Sequence, residues 1–213
     1  MKKSKKTKKI KSQFAKVFLV RHGDVQNPKH IIYGYLPLPL STRGRAEIKR
    51  TSLFLKKQNI TAIFASPQKR TQESAKIISQ IISRGKIKIK TETGLRESGF
   101  GRYTQGATPE MVKKKYAKLV LIYNRQPAKI KAGGEDLAKM AKRVLETIKK
   151  AVKKYPRQNL IFVSHRDPIL AALLKISGRD FNDLHKVKAI CDKGAVCEIW
   201  SVGKKLINKT YLA

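Results

Sequence analysis

Cysteine is nearly missing from this chain: Cys191 and Cys197 are the only two in 213 residues. No His/Cys set at zinc-ligand spacing accompanies them, so they read as reduced strand residues, excluding a disulfide framework and leaving no thiolate metal site. Long apolar runs are missing too. No stretch reaches the roughly 18 uninterrupted apolar residues of a membrane span, and the opening "MKKSKKTKKIKSQ" lacks the apolar region of a secretory signal. The expectation is a soluble, cytoplasmic protein with no transmembrane segment. Acidic residues are scarce as well: 14 carboxylates face 49 lysines and arginines, a formal charge of +35.

That charge has two readings. One is a footprint for nucleic acid or another polyanion, since a strong positive field concentrates anions. The other is a lysine-rich solvated surface. The second is favoured, because 36 of the 49 cations are lysine and the excess runs along the whole chain, whereas planar phosphate and base recognition prefers arginine. Residues 1–13, with seven lysines in the first twelve, read as a disordered tail capable of weak, non-specific polyanion binding. Residues 14–213 then form one catalytic domain, as monomer or homodimer, with 41% apolar residues to build a core.

The patterning is that of an α/β protein. "KVFLVR" (16–21), "TAIFAS" (61–66) and "NLIFVSH" (159–165) are short apolar runs of the kind a strand buried on both faces requires. "KIKIKTE" (86–92) alternates as an edge strand should, and "AVCEIWSV" with "KLINKTYL" reads as a closing hairpin turning at Gly203-Lys204. Helices are expected from Ser41 or Thr42 to about Gln58, and from a Ser66 cap with Pro67 in the first turn to about Ser83. Two more run from Glu135 to Tyr155 and from an Asp167 cap to Gly178. Residues 93–133, with one helix near 109–123, form an insert. Gly133-Gly134 reads as the lead-in to the helix after it. The expected architecture is a three-layer α/β/α sandwich with a largely parallel sheet and a helical insert over the active-site edge.

In such sheets ligands bind beyond the carboxyl ends of the strands. Arg21 and His22 end the first strand, Arg70 follows the second, Glu97 follows the edge strand, and His165 ends the fourth. Two imidazoles, two guanidiniums and a carboxylate therefore converge on one crevice. Guanidiniums in bidentate geometry suit the oxygens of a phosphoryl group. A neutral imidazole suits nucleophilic attack on its phosphorus, and His22, on a sharp turn beside Gly23, is the expected nucleophile. Gly23 is expected to allow close backbone approach and a positive φ.

Four segments, "VRHG" (20–23), "PLSTRGRAE" (39–47), "SPQKRTQESA" (66–75) and "VSHRDPI" (163–169), resemble the histidine phosphatase superfamily, also called phosphoglycerate mutase-like. "GLRES" and "GGEDLAK" agree more weakly. The resemblance implies metal-free, cofactor-free phosphoryl transfer from a small phosphorylated substrate: His22 is phosphorylated, while Arg21, Arg70 and His165 bind phosphate. Glu97 protonates the leaving oxygen and then activates water. The loop asparagine of the family, a phosphate contact, corresponds to Asn27, one place early. Arg166 stands where the family has glycine, and Val25 where it has a hydroxyl residue.

Alternatives remain for the proton donor, since Asp24 and Asp167 also lie near the site in sequence. Glu97 is favoured, Asp167 is read as a helix cap and Asp24 as orienting a histidine. His30 and His185 read as solvent-facing. Tyr33, Tyr35, Arg102 and Tyr103 are candidate rim contacts. The expected activity is phosphomonoester hydrolysis through a phosphohistidine, with a mutase as the alternative, although Phe100 occupies the position nearest the mutase tyrosine. A basic nucleic-acid-binding module on the same fold is a further one.

Overall fold

The computed structural model describes residues 14–99, 104–131, 135–203 and 205–210. The tail at 1–13, Phe100, Arg102, Tyr103, Gly133-Gly134 and Lys204 lie outside the described residues.

Six strands form one sheet: β1 (Phe14–Arg21), β2 (Ile60–Ala65), β3 (Ile89–Thr91), β4 (Asn159–Ser164), β5 (Val196–Val202) and β6 (Lys205–Asn208). Their order is β3-β2-β4-β1-β5-β6. The first four are parallel, and β5 and β6 close the sheet antiparallel. Among the described residues the helices are α1 (Thr42–Lys56), α2 (Lys69–Ser83), α3 (Pro109–Lys115), α4 (Ala117–Arg125), α5 (Leu137–Lys154) and α6 (Arg166–Ile176).

Alternation along β1 explains why its apolar run is unbroken. Val17 and Leu19 join a core with Met140, Val144 and Ile148 of α5 and Leu170 and Leu173 of α6. Phe18 and Val20 join a second core with Ile48 and Leu55 of α1 and Ala75 and Ile78 of α2. The sheet is covered on both faces, giving the three layers expected. Each of these buried Val, Leu, Ile, Phe and Met side chains contributes about 1.5–3 kcal/mol. No helix among the described residues is long and apolar enough to cross a membrane.

Four local expectations are corrected. The second helix starts at Lys69 with Gln68 in the cap position, not at Ser66, because the Ser66 carbonyl accepts from Thr71 and Gln72 while its hydroxyl points elsewhere. The insert helix is two helices, broken at Tyr116, which leaves helical geometry (φ −128, ψ 39). His165, not Asp167, occupies the cap position of α6. The edge strand shrinks to Ile89–Thr91, with a 3-10 turn at Thr93–Leu95 directly after it.

The insert is tied over the carboxyl edge of the sheet. Ile32 and the 106–107 backbone exchange hydrogen bonds of 2.8 Å, and Tyr123 of α4 donates to Asp167 of α6 at 2.7 Å.

Candidate active site

The parallel strands deliver Arg21, His22, Arg70, Glu97 and His165 to one edge. The imidazoles of His22 and His165 lie 5.2 Å apart, centroid to centroid, at 65°. His22, His165 and Arg70 are 0–1% exposed, and the Glu97 side chain is 17% exposed.

Arg70 joins both rings. Its Nε donates to His22 Nε2 (3.2 Å) and its Nη2 to His165 Nδ1 (3.1 Å), while Nη2 also reaches the Gly34 carbonyl (2.7 Å). The guanidinium stacks over Tyr33 at 4.8 Å. The remaining ring nitrogens assign the tautomers. His22 Nδ1 donates to its neighbour's carbonyl, Gly23 O, at 2.7 Å, leaving a lone pair on Nε2. His165 is the reverse: Nε2 meets Ser66 Oγ (2.9 Å) and Gln68 Oε1 (3.1 Å), so its lone pair is on Nδ1. Burial, reinforced by Arg70, holds both histidines well below the ordinary imidazole range. Both rings are neutral at physiological pH.

Glu97 Oε2 lies 3.4 Å from His165 Nδ1 and 3.5 Å from Arg70 Nη2, and Oε1 accepts from the Ser98 amide at 2.9 Å. Burial raises its pKa, against the opposing pull of Arg70. A buried carboxyl that holds its proton higher than usual is suited to giving it up. Arg21 Nη1 donates to the Cys191 carbonyl at 2.8 Å, while its Nε is buried with no acceptor among the described residues.

The loop carrying His22 is shaped by two glycines. Gly23 is not in the left-handed region, contrary to expectation; its need is steric, because a Cβ there would fall inside the Gly44 carbonyl. Gly44 in turn packs against the Asp24 backbone, where a Cβ would collide. The Asp24 amide donates to Glu47 Oε2 (2.9 Å), and Ser41 caps α1 through the Gly44 amide. The segment "STRGRAE" thus serves as the seat of the catalytic loop.

Other expected residues lie apart from this cluster. Asp24 takes Ser41 Oγ and Lys193 and orients no histidine. Asp167 pairs with Arg166 Nε (2.9 Å), whose Nη2 donates to Tyr123 OH (3.0 Å), so these three tie the insert to α6. Asn27 spends its amide on its own loop, bonding both backbone groups of Ile31. His30 is exposed, as expected. His185 is half-buried and bonds the Tyr123 carbonyl at 2.7 Å, a correction with a simple cause: its ring packs edge-on against that tyrosine. Tyr35 bonds the main chain of Glu97 at 2.9 Å.

Ser66, Gln68 and Arg143 were not anticipated here. Ser66 and Gln68 follow β2 just as Arg70 does, a positional signal masked by reading Ser66 as a cap. Arg143 sits mid-helix among lysines and carried no such signal.

Residues 17–206 match the histidine phosphatase superfamily (branch 1). The chain belongs to this family. Relatives include phosphoserine phosphatase 1 of Hydrogenobacter thermophilus, 30% identical over 169 residues, 78% of each chain. Another is phosphoglycerate mutase-like protein 4 of Arabidopsis thaliana, 30% identical over 156 residues, 71% of this chain and 66% of that one. Among solved structures, Bacillus stearothermophilus YhfR superposes with a TM-score of 0.83 at 21% identity, over 92% of this chain and 96% of that one. The α/β architecture is shared with these neighbours, and the chain is a phosphatase of the histidine phosphatase family.

Proposed function

We infer that this phosphatase hydrolyses a small phosphorylated metabolite by two displacements on His22. The observation that carries the reading is the Nε2 lone pair of a buried, neutral His22, held beside Arg70, His165 and Glu97 with its other nitrogen donating to Gly23. In the first displacement Nε2 attacks phosphorus, the ester P–O bond breaks, and Glu97 gives its proton to the leaving oxygen. In the second, water attacks phosphorus as Glu97 takes its proton, the N–P bond breaks, and phosphate departs. The proton stays on Nδ1 throughout, donated to Gly23 O, and stabilises the phosphoimidazole.

Arg21, Arg70 and His165 bind the phosphoryl oxygens in this reading. The buried Nε–H of Arg21 supports the assignment, since an orphaned donor would be satisfied by an anionic oxygen. Gly23 allows the approach of the loop, and Asn27 acts on the phosphate indirectly by holding the loop that leads to Gly34.

Brief incubation with an aryl phosphate, quenching at high pH and intact-mass measurement tests the reading. One added phosphoryl group, absent from His22→Asn together with all phosphate release, is the expected result. Full activity in His22→Asn overturns it. A mutase is the second reading, favoured by the Arabidopsis relative's name. It predicts isomerisation of a phosphoglycerate without net phosphate release.

A further inference from the structure

Glu97 sits in a short segment after the 3-10 turn, with its main chain gripped from α5. From α5 the grip is Arg143 alone, while the Glu97 carbonyl also accepts from Tyr35 OH at 2.9 Å on the opposite loop. Arg143 Nη1 donates to the carbonyls of Gly94 (2.7 Å) and Arg96 (2.8 Å), and Nη2 to that of Glu97 (3.3 Å). Its other edge is taken by Glu135: Nε to Oε1 at 2.6 Å and Nη2 to Oε2 at 2.9 Å. Five N–H groups meet five acceptors, which fully satisfies a guanidinium. Both side chains are close to buried, at 12% and 11% exposed.

The two edges do different work. The carboxylate fork of Glu135 fixes the plane of the guanidinium, because a bidentate pair tolerates little rotation. The carbonyl-facing edge then fixes three main-chain carbonyls within the four residues that end at Glu97. Gly94 lets that main chain lie directly on α5, since a Cβ there would overlap the Thr147 hydroxyl. Arg143 touches Glu97 through its carbonyl oxygen and not its carboxylate, so it acts by placement.

We propose that Arg143, oriented by Glu135, is a positioning residue that holds Glu97 at proton-transfer distance from the phosphoryl group. The proposal rests on the two-displacement reading above. Removing a correctly placed acid or base costs about 10²–10⁴-fold, and a lysine at position 143 keeps the charge but loses the fork. Leaving groups that need no proton are insensitive to this; alkoxides are not. Hydrolysis of the phosphohistidine needs Glu97 as base in every case.

The test is pre-steady-state turnover of Arg143→Lys and Glu135→Gln on dinitrophenyl phosphate and on an alkyl phosphate, beside Glu97→Gln. Glu135→Gln keeps the arginine and its carbonyl contacts, and is the milder variant for folding. Expected is an unchanged burst of dinitrophenolate, then slow turnover with phosphohistidine accumulating, and alkyl ester hydrolysis slowed by about 10²-fold. Arg143→Lys combined with Glu97→Gln is expected to be no slower than Glu97→Gln alone. A burst slowed in step with the alkyl ester means general loosening of the site and overturns the proposal, as does turnover unchanged on both substrates. Absence of any phosphohistidine in the wild-type protein would instead remove the two-displacement reading itself.

Discussion

Arg70 Nε lies 3.2 Å from Nε2 of His22 and donates to it, so the lone pair proposed to attack phosphorus is already engaged by a buried cation. Burial first, and then the guanidinium that a proton on that nitrogen would face, hold the ring neutral. Reaction requires the N–H of Arg70 to pass from the ring to a phosphoryl oxygen. In the proposed reaction the same guanidinium therefore guards His22 and then receives the substrate.

Arg70→Lys keeps a charge but cannot reach His22, His165 and Gly34 at once. Its kcat on an alkyl phosphate is expected to fall by about 10²–10³-fold, the usual cost of losing a donor aimed at transition-state charge. Unfolding in urea should show a loss of about 1–3 kcal/mol from carbonyl and imidazole acceptors left unpaired. A lysine variant with near-normal kcat would contradict this.

Two acceptors hold His165 Nε2, and they are expected to back each other up. Ser66→Ala alone leaves Gln68 in place and should cost less than about 1 kcal/mol. Adding Gln68→Leu orphans a buried N–H, at about 1–3 kcal/mol, and frees the ring to turn. The check is a comparison of urea midpoints and kcat for the single and double variants; equal effects would argue against the pairing.

Gly44→Ala probes the seat of the catalytic loop. Its Cβ collides with the Asp24 backbone, so a destabilisation of about 1–3 kcal/mol is expected, with a matching fall in kcat. Gly178→Ala is the contrast: it sits in open space at φ 66 and should cost only about 1 kcal/mol of backbone strain, leaving kcat alone. Kinetic equivalence of the two would mean that the loop does not depend on this contact.

Stability should fall on acidification below about pH 6.5, where unfolded histidines begin to charge. The folded chain refuses those protons at His22 and His165, whose pKa values are depressed by burial and then by Arg70. Each adds a slope of up to about 1.4 kcal/mol per pH unit until its folded pKa is reached. Glu97 has the opposite sign: raised by burial, it takes up a proton in the folded state first and adds stability as pH falls toward the ordinary carboxylate range. Urea titrations from about pH 7 to pH 4 should show a shallower slope for His22→Asn and, toward the acid end, a steeper one for Glu97→Gln.

Much of this was legible in the residues. Strands buried on both faces announce themselves as apolar runs, and the rule that ligands lie beyond strand carboxyl ends gathered Arg21, His22, Arg70, Glu97 and His165 without coordinates. Ser66 shows where local signals mislead: Ser-Pro is a strong helix-start pattern, but the hydroxyl is spent on His165. Arg143 shows a second limit. Its partners at 94, 96 and 97 are distant in sequence, and among the basic residues of α5 nothing local marks the one that faces inward.

The strand that leads to His22 precedes in sequence both of the strands that flank it in the sheet. β1 pairs with β4 on one side and β5 on the other, and the backbone of 191–195 closes on Arg21 and His22 from behind. A folding chain thus leaves the His22 imidazole unaligned until segments far along the sequence return to pair with β1. A chain cut before β5 is therefore expected to be inert toward phosphate esters.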